Sequence, residues 1–297
     1  MPRFNLKHIE AFVLVADLGS FRRAAARLNT TQPNISNRIS QLEQHIGQVL
    51  MERDAGSVRL TREGRALLEP ARRVLASVDA FAEAAGGGAA FEGVLRLGVT
   101  ELVAQTWLRR FLLRMKRDYP AIDVELTVDL SENLSSALFS RDLDLTFQNG
   151  PFDRKARFTE ALGRCPHVWV SAQRGDIPEG PLSAEIIARH RIFTHARGTY
   201  PFQQLDNHFK SVGQGARLVP SSNVGAALHM TQDGLGIACV PELMAQEALD
   251  AGRLRRLDYD WRPEALRFAA RWNTDPTPPF LRDAVALAVG FYPPQDK

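Results

Sequence analysis

Apolar residues in the first fifty positions recur at the three- to four-residue spacing of amphipathic helices. The first stretch runs through Leu6, Ile9, Phe12, Val13 and Ala16. Gly19 ends this stretch, and Ser20 is placed to cap a second helix that reaches Leu28. A third stretch ends at Gly47, so the pattern predicts three short helices at the start of the chain.

The third helix has a polar face of unusual composition. Its apolar stripe has spacings of four, three and four residues: Ile35, Ile39, Leu42 and Ile46. Thr31 is placed to cap it, and Pro33 lies in the first turn, where its missing N–H has no intrahelical partner to lose. The opposite face carries Asn37, Ser40, Gln41 and Gln44, which form hydrogen bonds but carry no charge. This face belongs either to a solvated amphipathic helix or to the recognition helix of a helix-turn-helix, whose amides and hydroxyls contact base edges.

Charge placement favours the recognition helix. Residues 1–73 contain 12 Lys and Arg against 7 Asp and Glu, a difference of +5, whereas the whole chain carries +3, so the remaining 224 residues sum to −2. A basic excess confined to one segment is what a phosphate-binding module requires.

The segment VLMERDAGSVRLT that follows the third helix predicts a β-hairpin around Ala55-Gly56-Ser57. Three helices and a hairpin together make a winged helix-turn-helix. Arg53, Arg59 and Thr61 fall on or beside this wing, where they could reach phosphates or the minor groove.

A long helix is predicted from residue 62 to residue 85. Its apolar residues alternate between spacings of four and three, which is the repeat of a coiled-coil seam: Leu67, Ala71, Val74, Val78 and Phe81. The seam predicts a dimer, and the alternative is a helix that packs on its own domain. Pro70 is expected to kink this helix or to delay its start. Gly86-Gly87-Gly88 is expected to form a flexible joint and marks the clearest predicted domain boundary.

Strands alternate with helices beyond this joint, which predicts parallel α/β sheets. The first unit is expected to have strands at 94–99, 122–128 and 143–147, with helices at about 102–118 and 132–140. The second unit spans about 160–260, with strands near 166–171, 191–194 and 236–240. The tail from Leu266 returns to the first unit. The chain is therefore expected to pass between two lobes twice, and a cleft is expected between these lobes.

Composition narrows the class of protein. A chain of 297 residues with 44% hydrophobic and 24% charged positions suits a globular protein of two or three domains. No run approaches 18 apolar residues and no signal peptide is recognised, so a cytoplasmic protein without membrane contact is expected. Cys165 and Cys239 are expected to be buried free thiols. No nucleophile elbow, phosphate-binding glycine loop or metal-ligand spacing is found, so neither an enzyme, a metal site nor a cofactor is predicted.

Three groups of residues carry a likeness to a known family. They are LKHIEAFVLVADLGSFRRAAARLNTTQPNISNRISQLEQHIGQVLMER with SVRLTREGRALL, then DLDLTF, then VGAALHMTQDGLGIACVPE. On these segments the chain resembles LysR-type transcriptional regulators over nearly its whole length. The resemblance implies an α/β protein with an all-α-rich N-terminal winged helix-turn-helix and a two-lobed effector module like periplasmic binding proteins. The expected domains are 1–61, a linker helix and hinge at 62–88, and an effector domain at 89–297, with lobe 1 at about 91–160 and 266–297 and lobe 2 at about 161–265.

The resemblance also implies function and partners. Such a regulator binds double-stranded promoter DNA as a homodimer or homotetramer and responds to a small-molecule effector, expected here to be polar or anionic, with RNA polymerase as a further candidate partner. A small-molecule binding protein without a regulatory role is the alternative. The family's DNA contacts fall on Ser20, Thr31, Gln32, Pro33, Ser36, Asn37, Arg38, Ser40, Arg53, Arg59 and Thr61. This chain departs from the family at Asn34, where Ala is common, and at Asn37-Arg38, where Arg-Gln is common.

The family's effector pocket corresponds to residues of both lobes: Thr100, Glu101, Leu102, Ser131, Gln148, His195, Arg197 and Thr199. Helix N-termini at Glu101 and Ser131 offer N–H groups to an anion, and Arg197 could pair with a carboxylate. Glu101 itself is expected to repel an anion and to favour an amine. Leu102 stands where many aromatic-acid sensors of the family carry a hydroxyl.

Overall fold

The computed structural model describes residues 4–54, 57–84, 93–174, 177–275 and 277–291. The chain divides into two compact units. Unit 1 contains Met1–Gly93 with the short segments Asp118–Ala121 and Thr274–Asp283. Unit 2 contains Val94–Arg117, Ile122–Asn273 and Ala284–Lys297.

Unit 1 begins with three helices, as the apolar pattern predicts: α1 (Leu6–Leu18), α2 (Phe21–Arg27) and α3 (Gln32–Ile46). The Ser20 hydroxyl caps α2 by accepting the Arg23 N–H at 3.3 Å. Gly19 and Gly47 end α1 and α3 in the left-handed conformation, with φ of 62° and 75°. The stripe of α3 is buried with α1 in one core that includes Ile9, Phe12, Val15, Ile35, Ile39 and Leu42. The three predicted helices and the buried face of the third are therefore confirmed.

The hairpin and the long helix follow. Strands β1 (Met51–Asp54) and β2 (Ser57–Leu60) pair antiparallel, which confirms the predicted wing, although Ala55 and Gly56 lie outside the described residues. Helix α4 (Arg62–Ala84) contains Pro70, so of the two predicted alternatives the later start is wrong and the kink stays a prediction. The predicted glycine joint at 86–88 lies outside the described residues.

Helix α4 divides its apolar seam between two environments. Leu67 and Ala71 pack against the core of the three helices. Val74, Val78 and Phe81 are 41%, 39% and 76% exposed. The first half of the helix thus packs on its own domain, and the second half leaves an apolar stripe uncovered in the single chain.

The α/β part of the chain contains, in order, β3 (Gly93–Val99), α5 (Glu101–Gln105), α6 (Leu108–Asp118), β4 (Ile122–Val128), α7 (Ser131–Phe139), β5 (Leu145–Asn149), β6 (Phe158–Cys165), β7 (His167–Ala172), α8 (Ala184–Ala188), β8 (Arg191–His195), α9 (Tyr200–Ser211), β9 (Arg217–Ser221), α10 (Val224–Gln232), β10 (Ile237–Pro241), α11 (Glu242–Asp250), β11 (Leu254–Arg256), β12 (Leu266–Trp272) and α12 (Pro279–Phe291). None of the described helices is long and apolar enough to span a bilayer.

These strands form two sheets, which we call lobe 1 and lobe 2. Lobe 1 has the order β4-β3-β5-β12-β6 and lobe 2 the order β11-β7-β10-β8-β9. The chain passes from lobe 1 to lobe 2 between β6 and β7 and returns between β11 and β12, so the predicted two lobes and two crossings are present. The first crossing lies after Cys165 and not at about 160, because β6 pairs with β12 in the sheet of lobe 1. Both sheets are mixed rather than parallel, because β12 runs antiparallel to β5 and β7 runs antiparallel to β10.

The strands of lobe 2 separate two apolar layers. Val168, Val170 and Val240 lie in one cluster, whereas Trp169 and Cys239 lie in the other. Cys239 and Cys165 are both buried free thiols, as expected from the sequence. Burial raises the pKa of Cys165 to about 11, so this thiol stays protonated at neutral pH.

Candidate DNA-binding surface and effector cleft

The N-terminal end of α3 presents the polar face that the sequence predicts. Gln32, Pro33 and Asn37 are exposed, and the buried stripe of the helix lies beneath them. Thr31 occupies the N-cap position, but its side chain makes no capping hydrogen bond, contrary to expectation. Asn34 is held locally, because its Nδ2 donates to Thr30 Oγ1 at 3.1 Å. The first turn of α3 therefore offers amide and hydroxyl groups that the helix itself does not use.

The other predicted residues of α3 are less accessible. Ser36, Arg38 and Ser40 are half-buried. Arg38 lies close enough to His8 on α1 to contribute to its lowered pKa, after burial and the charge of His45. Since successive helical residues differ by about 100°, Arg38 projects toward the flank of α3 beside α1 and away from the exposed Asn37.

The wing residues have different roles. Arg59 is exposed on β2 and pairs with Glu52 across the hairpin, and Arg53 pairs with Val58, although the Arg53 side chain lies outside what the structure describes. Thr61 is buried, since its hydroxyl donates to the Val49 carbonyl at 2.8 Å and accepts the Gly64 N–H at 2.9 Å. The Thr61 side chain therefore supports the start of α4, and this burial argues against the DNA contact expected of it.

In lobe 1, two predicted effector residues bring polar atoms into a buried region. Thr100 follows β3 as the N-cap residue of α5, and Gln148 lies on the neighbouring strand β5 with its side chain fully buried. Gln148 Nε2 donates to Ser135 Oγ on α7 at 3.0 Å. Within the described part of the chain, Thr100 Oγ1 and Gln148 Oε1 are buried without a hydrogen-bond partner. Buried polar atoms without partners are costly, so these two are candidates to bind a ligand or water.

Ser131 begins α7 and is tied to the end of β5. Its hydroxyl donates to Asn149 Oδ1 at 3.1 Å and accepts the Asn149 N–H at 3.2 Å. The N-cap residue of α7, Leu130, has no side-chain cap, so the backbone N–H groups of the first turn are not satisfied by a cap of this kind.

Arg271 is a buried cation beside these groups that sequence reasoning missed. It lies on β12 with no exposed surface, and its Nη1 donates to Ser135 Oγ at 2.8 Å. Its guanidinium lies 4.0 Å from the ring centroid of Phe152, and burial lowers its pKa. Ser135 thereby connects Arg271 to Gln148. The signal in the sequence was an arginine inside the otherwise apolar strand pattern LRFAARW.

Glu101 differs from its expected role. Its carboxylate accepts the N–H groups of Val224 at 2.7 Å and Gly225 at 3.0 Å, both in the first turn of α10 in lobe 2. A carboxylate held this way is satisfied by the positive end of a helix, so the expectation that Glu101 selects an amine is not supported. Leu102 is buried at 4% exposure in lobe 1 and offers no polar group.

The predicted effector residues of lobe 2 are His195, Arg197 and Thr199, and Arg197 is an exposed cation. His195 Nε2 lies 3.1 Å from His167 Nε2, and burial lowers the pKa of both rings, so the pair is neutral at pH 7. Thr199 Oγ1 donates to the Ala196 carbonyl at 2.7 Å. Arg197 is exposed, 5.4 Å from the ring centroid of Phe202. Among the described residues, no cluster of three or more His, Cys, Asp and Glu is arranged to hold a metal ion.

Comparisons with known proteins match both parts of the chain. The bacterial regulatory helix-turn-helix of the lysR family matches residues 6–65, and the LysR substrate binding domain matches residues 88–290. The chain is 33% identical to the HTH-type transcriptional regulator CzcR of Bacillus thuringiensis over 251 residues, covering 84% of each protein. It is 27% identical to the HTH-type transcriptional activator AaeR of Escherichia coli over 287 residues, covering 92% of this chain and 85% of AaeR.

A solved structure shows the same fold. Full-length LysG from Corynebacterium glutamicum, with arginine as its bound effector, superposes with a TM-score of 0.60 at 20% identity, covering 96% of this chain and 98% of LysG. The relatives are transcriptional regulators and not enzymes, and the match of the helix-turn-helix supports a regulator over a binding protein without a regulatory role. The chain therefore belongs to the LysR family of transcriptional regulators, with an N-terminal DNA-binding domain and an effector-binding domain of two α/β lobes.

Proposed function

We propose that this regulator recognises promoter DNA through the N-terminal end of α3, supported by the wing. The observation that carries this proposal is the exposed, uncharged polar face of α3 above its buried stripe. Gln32 and Asn37 have amides suited to base edges, because a side-chain amide can donate one hydrogen bond to adenine N7 and accept one from adenine N6–H. Thr31, Pro33, Ser36 and Ser40 complete the surface that enters the groove.

The cations at the edge of this surface bind the phosphates in this proposal. Arg38 lies at the flank of α3, Arg59 is exposed on the wing, and Arg53 lies on the adjacent strand. The Ser20 hydroxyl at the start of α2 still has a proton to donate to a phosphate while it accepts the Arg23 N–H. Thr61 acts indirectly, since it fixes the start of α4.

We further propose that α4 pairs with α4 of a second copy. Val74, Val78 and Phe81, with Leu6 and Pro70, line an apolar groove of about 750 Å³ in unit 1. An exposed apolar stripe with a seam repeat is typical of a helix that dimerises. Dimers of this kind are expected to assemble further into tetramers, to reside in the cytoplasm with the promoter, and to act on RNA polymerase there.

The effector in this proposal is a small polar molecule, preferably with an anionic group. The buried Thr100 and Gln148 side chains each have an oxygen without a partner. The start of α7 at Ser131 has no side-chain cap, and Arg197 is an exposed cation. The Glu101 carboxylate accepts two N–H groups at the start of α10, so its charge is partly balanced by the helix dipole. The fold relative LysG is described with arginine as effector, which is also a polar molecule with a carboxylate.

Effector binding is proposed to change how the two lobes sit against each other, and thereby how the recognition helices of a dimer meet DNA. Linkage then requires that effector changes DNA affinity by the same factor as DNA changes effector affinity. A footprint and DNA bend that stay constant at saturating effector would contradict this coupling.

The test of the DNA proposal is binding of the purified protein to its own upstream intergenic DNA and to random DNA of equal length, across a salt series. We expect a large specificity ratio and an affinity that falls steeply with salt, because the basic residues displace counterions. Weak binding that is equal for both DNAs, with and without candidate effectors, would contradict the proposal.

A further inference from the structure

A carboxylate connects lobe 1 to lobe 2. Glu101 is the first residue of α5, directly after strand β3 of lobe 1. Its two oxygens accept separate backbone N–H groups of α10 in lobe 2, Val224 at 2.7 Å and Gly225 at 3.0 Å. These residues lie more than 120 positions apart in the chain. The contact therefore joins an element of lobe 1 to an element of lobe 2 by hydrogen bonds.

The start of α10 is chemically suited to this carboxylate. The first N–H groups of a helix have no intrahelical acceptors, and the helix dipole favours negative charge there. Asn223 satisfies the next donor, since its Oδ1 accepts the Ala226 N–H at 2.6 Å. Glu101 thus completes the cap of a helix in the other lobe, taking the place that a free anion would occupy.

The surroundings fit a close approach between α5 and α10. Gln105 Nε2 donates to Glu101 Oε1 at 2.7 Å and orients the carboxylate. A Cβ atom on Gly225 would lie 2.8 Å from Gln105 Nε2, so any larger residue would displace that side chain. Gly225 thus leaves space for the Gln105 amide beside the start of α10.

We propose that Glu101 is a latch between the lobes, a tethered carboxylate that occupies the start of α10 and holds the lobes together before effector binds. The latch goes beyond the proposed function and depends on neither the identity of the effector nor the DNA site. Its consequence for the cleft is that the start of α10 is closed to an anionic effector while the latch is formed. An effector that separates the lobes must break two charge-assisted hydrogen bonds.

The test is hydrogen exchange of the full-length protein at the backbone amides of Val224 and Gly225. Removal of the acceptor in Glu101→Ala is expected to accelerate exchange at these amides by about tenfold or more, because their protection depends on lobe contact. Glu132→Ala is the matched control, since Glu132 is an exposed acid in the first turn of α7 in the same lobe. Acetate is expected to slow exchange again in Glu101→Ala and to have no effect on the wild type.

A second variant protects the test against misfolding. Glu101→Gln keeps the shape and one acceptor oxygen, so a smaller acceleration confined to the start of α10 is expected. Unchanged exchange in both Glu101 variants would overturn the latch. Equal acceleration by Glu132→Ala, or no response of Glu101→Ala to acetate, would overturn it as well, because the effect would then be one of general charge or stability. None of these outcomes depends on DNA binding, so the latch and the proposed function can fail separately.

Discussion

Gln32→Ala is the substitution that isolates base reading from general DNA affinity. Gln32 is the first residue of α3 and is exposed, so truncation of its side chain removes no internal packing. The helix itself is expected to remain intact, since alanine is a good helix former. Any loss of binding can then be assigned to the interface with DNA.

The size of the loss follows from the chemistry of the amide. A side-chain amide that makes two hydrogen bonds to one base contributes about 1 to 3 kcal/mol of discrimination, which corresponds to a loss of about 5- to 150-fold in affinity for the operator. Gln32 is uncharged and releases no counterions, so affinity for random DNA is expected to change by less than about twofold and the salt dependence to stay the same.

The assay is fluorescence anisotropy of the wild type and variants on operator and random DNA at several salt concentrations. Gln44→Ala is the matched control, because Gln44 is an exposed amide of the same helix, twelve positions further along and about 18 Å away on an ideal helix. Gln44→Ala is expected to bind both DNAs as the wild type does. Equal losses for Gln32→Ala on both DNAs, or equal losses for the two variants, would refute base reading by Gln32.

Three further predictions concern stability and reactivity. Arg72→Ala removes the 2.5 Å ion pair between Arg72 and Asp17, in which the two side chains are 13% and 9% exposed. The free energy of unfolding in urea should fall by about 2 to 3 kcal/mol, with partial recovery in Arg72→Lys, and an unchanged urea midpoint would contradict this. The free energy of unfolding should fall as the pH drops below 6.5, by up to about 1.4 kcal/mol per pH unit for each of His167 and His195, because the unfolded state takes up protons that this pair excludes. His195→Asn should reduce the dependence of the free energy of unfolding on pH. Cys165 should resist alkylation at pH 8 until the protein unfolds, since burial raises its pKa, and rapid labelling of native protein would disprove this.

Local features of the fold were predictable where the responsible residues lie within a helical turn of one another. Ser20 caps α2, Gly47 ends α3 and the stripe of α3 is buried, as the sequence indicates. The seam of α4 was also visible, although its division into a packed half and an exposed half was not. That division depends on how far the three-helix core extends along α4, which no periodicity encodes.

The exposed polar face of α3 was easier to predict from the sequence than the hydrogen-bond partners of the candidate effector residues. The amides and hydroxyls of α3 stand out against its apolar stripe, and the position of each residue follows from helix geometry. The candidate effector residues lie at strand ends and helix starts that are far apart in the sequence. Thr61 illustrates the same limit in unit 1, because the sequence gives its position beside the wing and only the fold shows that its hydroxyl is buried.

The sequence by itself determined the helices and their caps, the wing, the two-lobe organisation and the family, because each depends on spacing, composition or motifs that a linear chain displays. The tertiary structure alone decided which polar groups meet. From the sequence Glu101 was expected to repel anions, whereas in the structure it accepts two N–H groups at the start of α10. Arg271 was not predicted as a site residue, and its hydrogen bond to Ser135 places it beside Gln148. The physical reason is that the residue type gives the charge of a group, whereas the free energy of that charged group depends on the neighbours that folding brings within hydrogen-bonding distance.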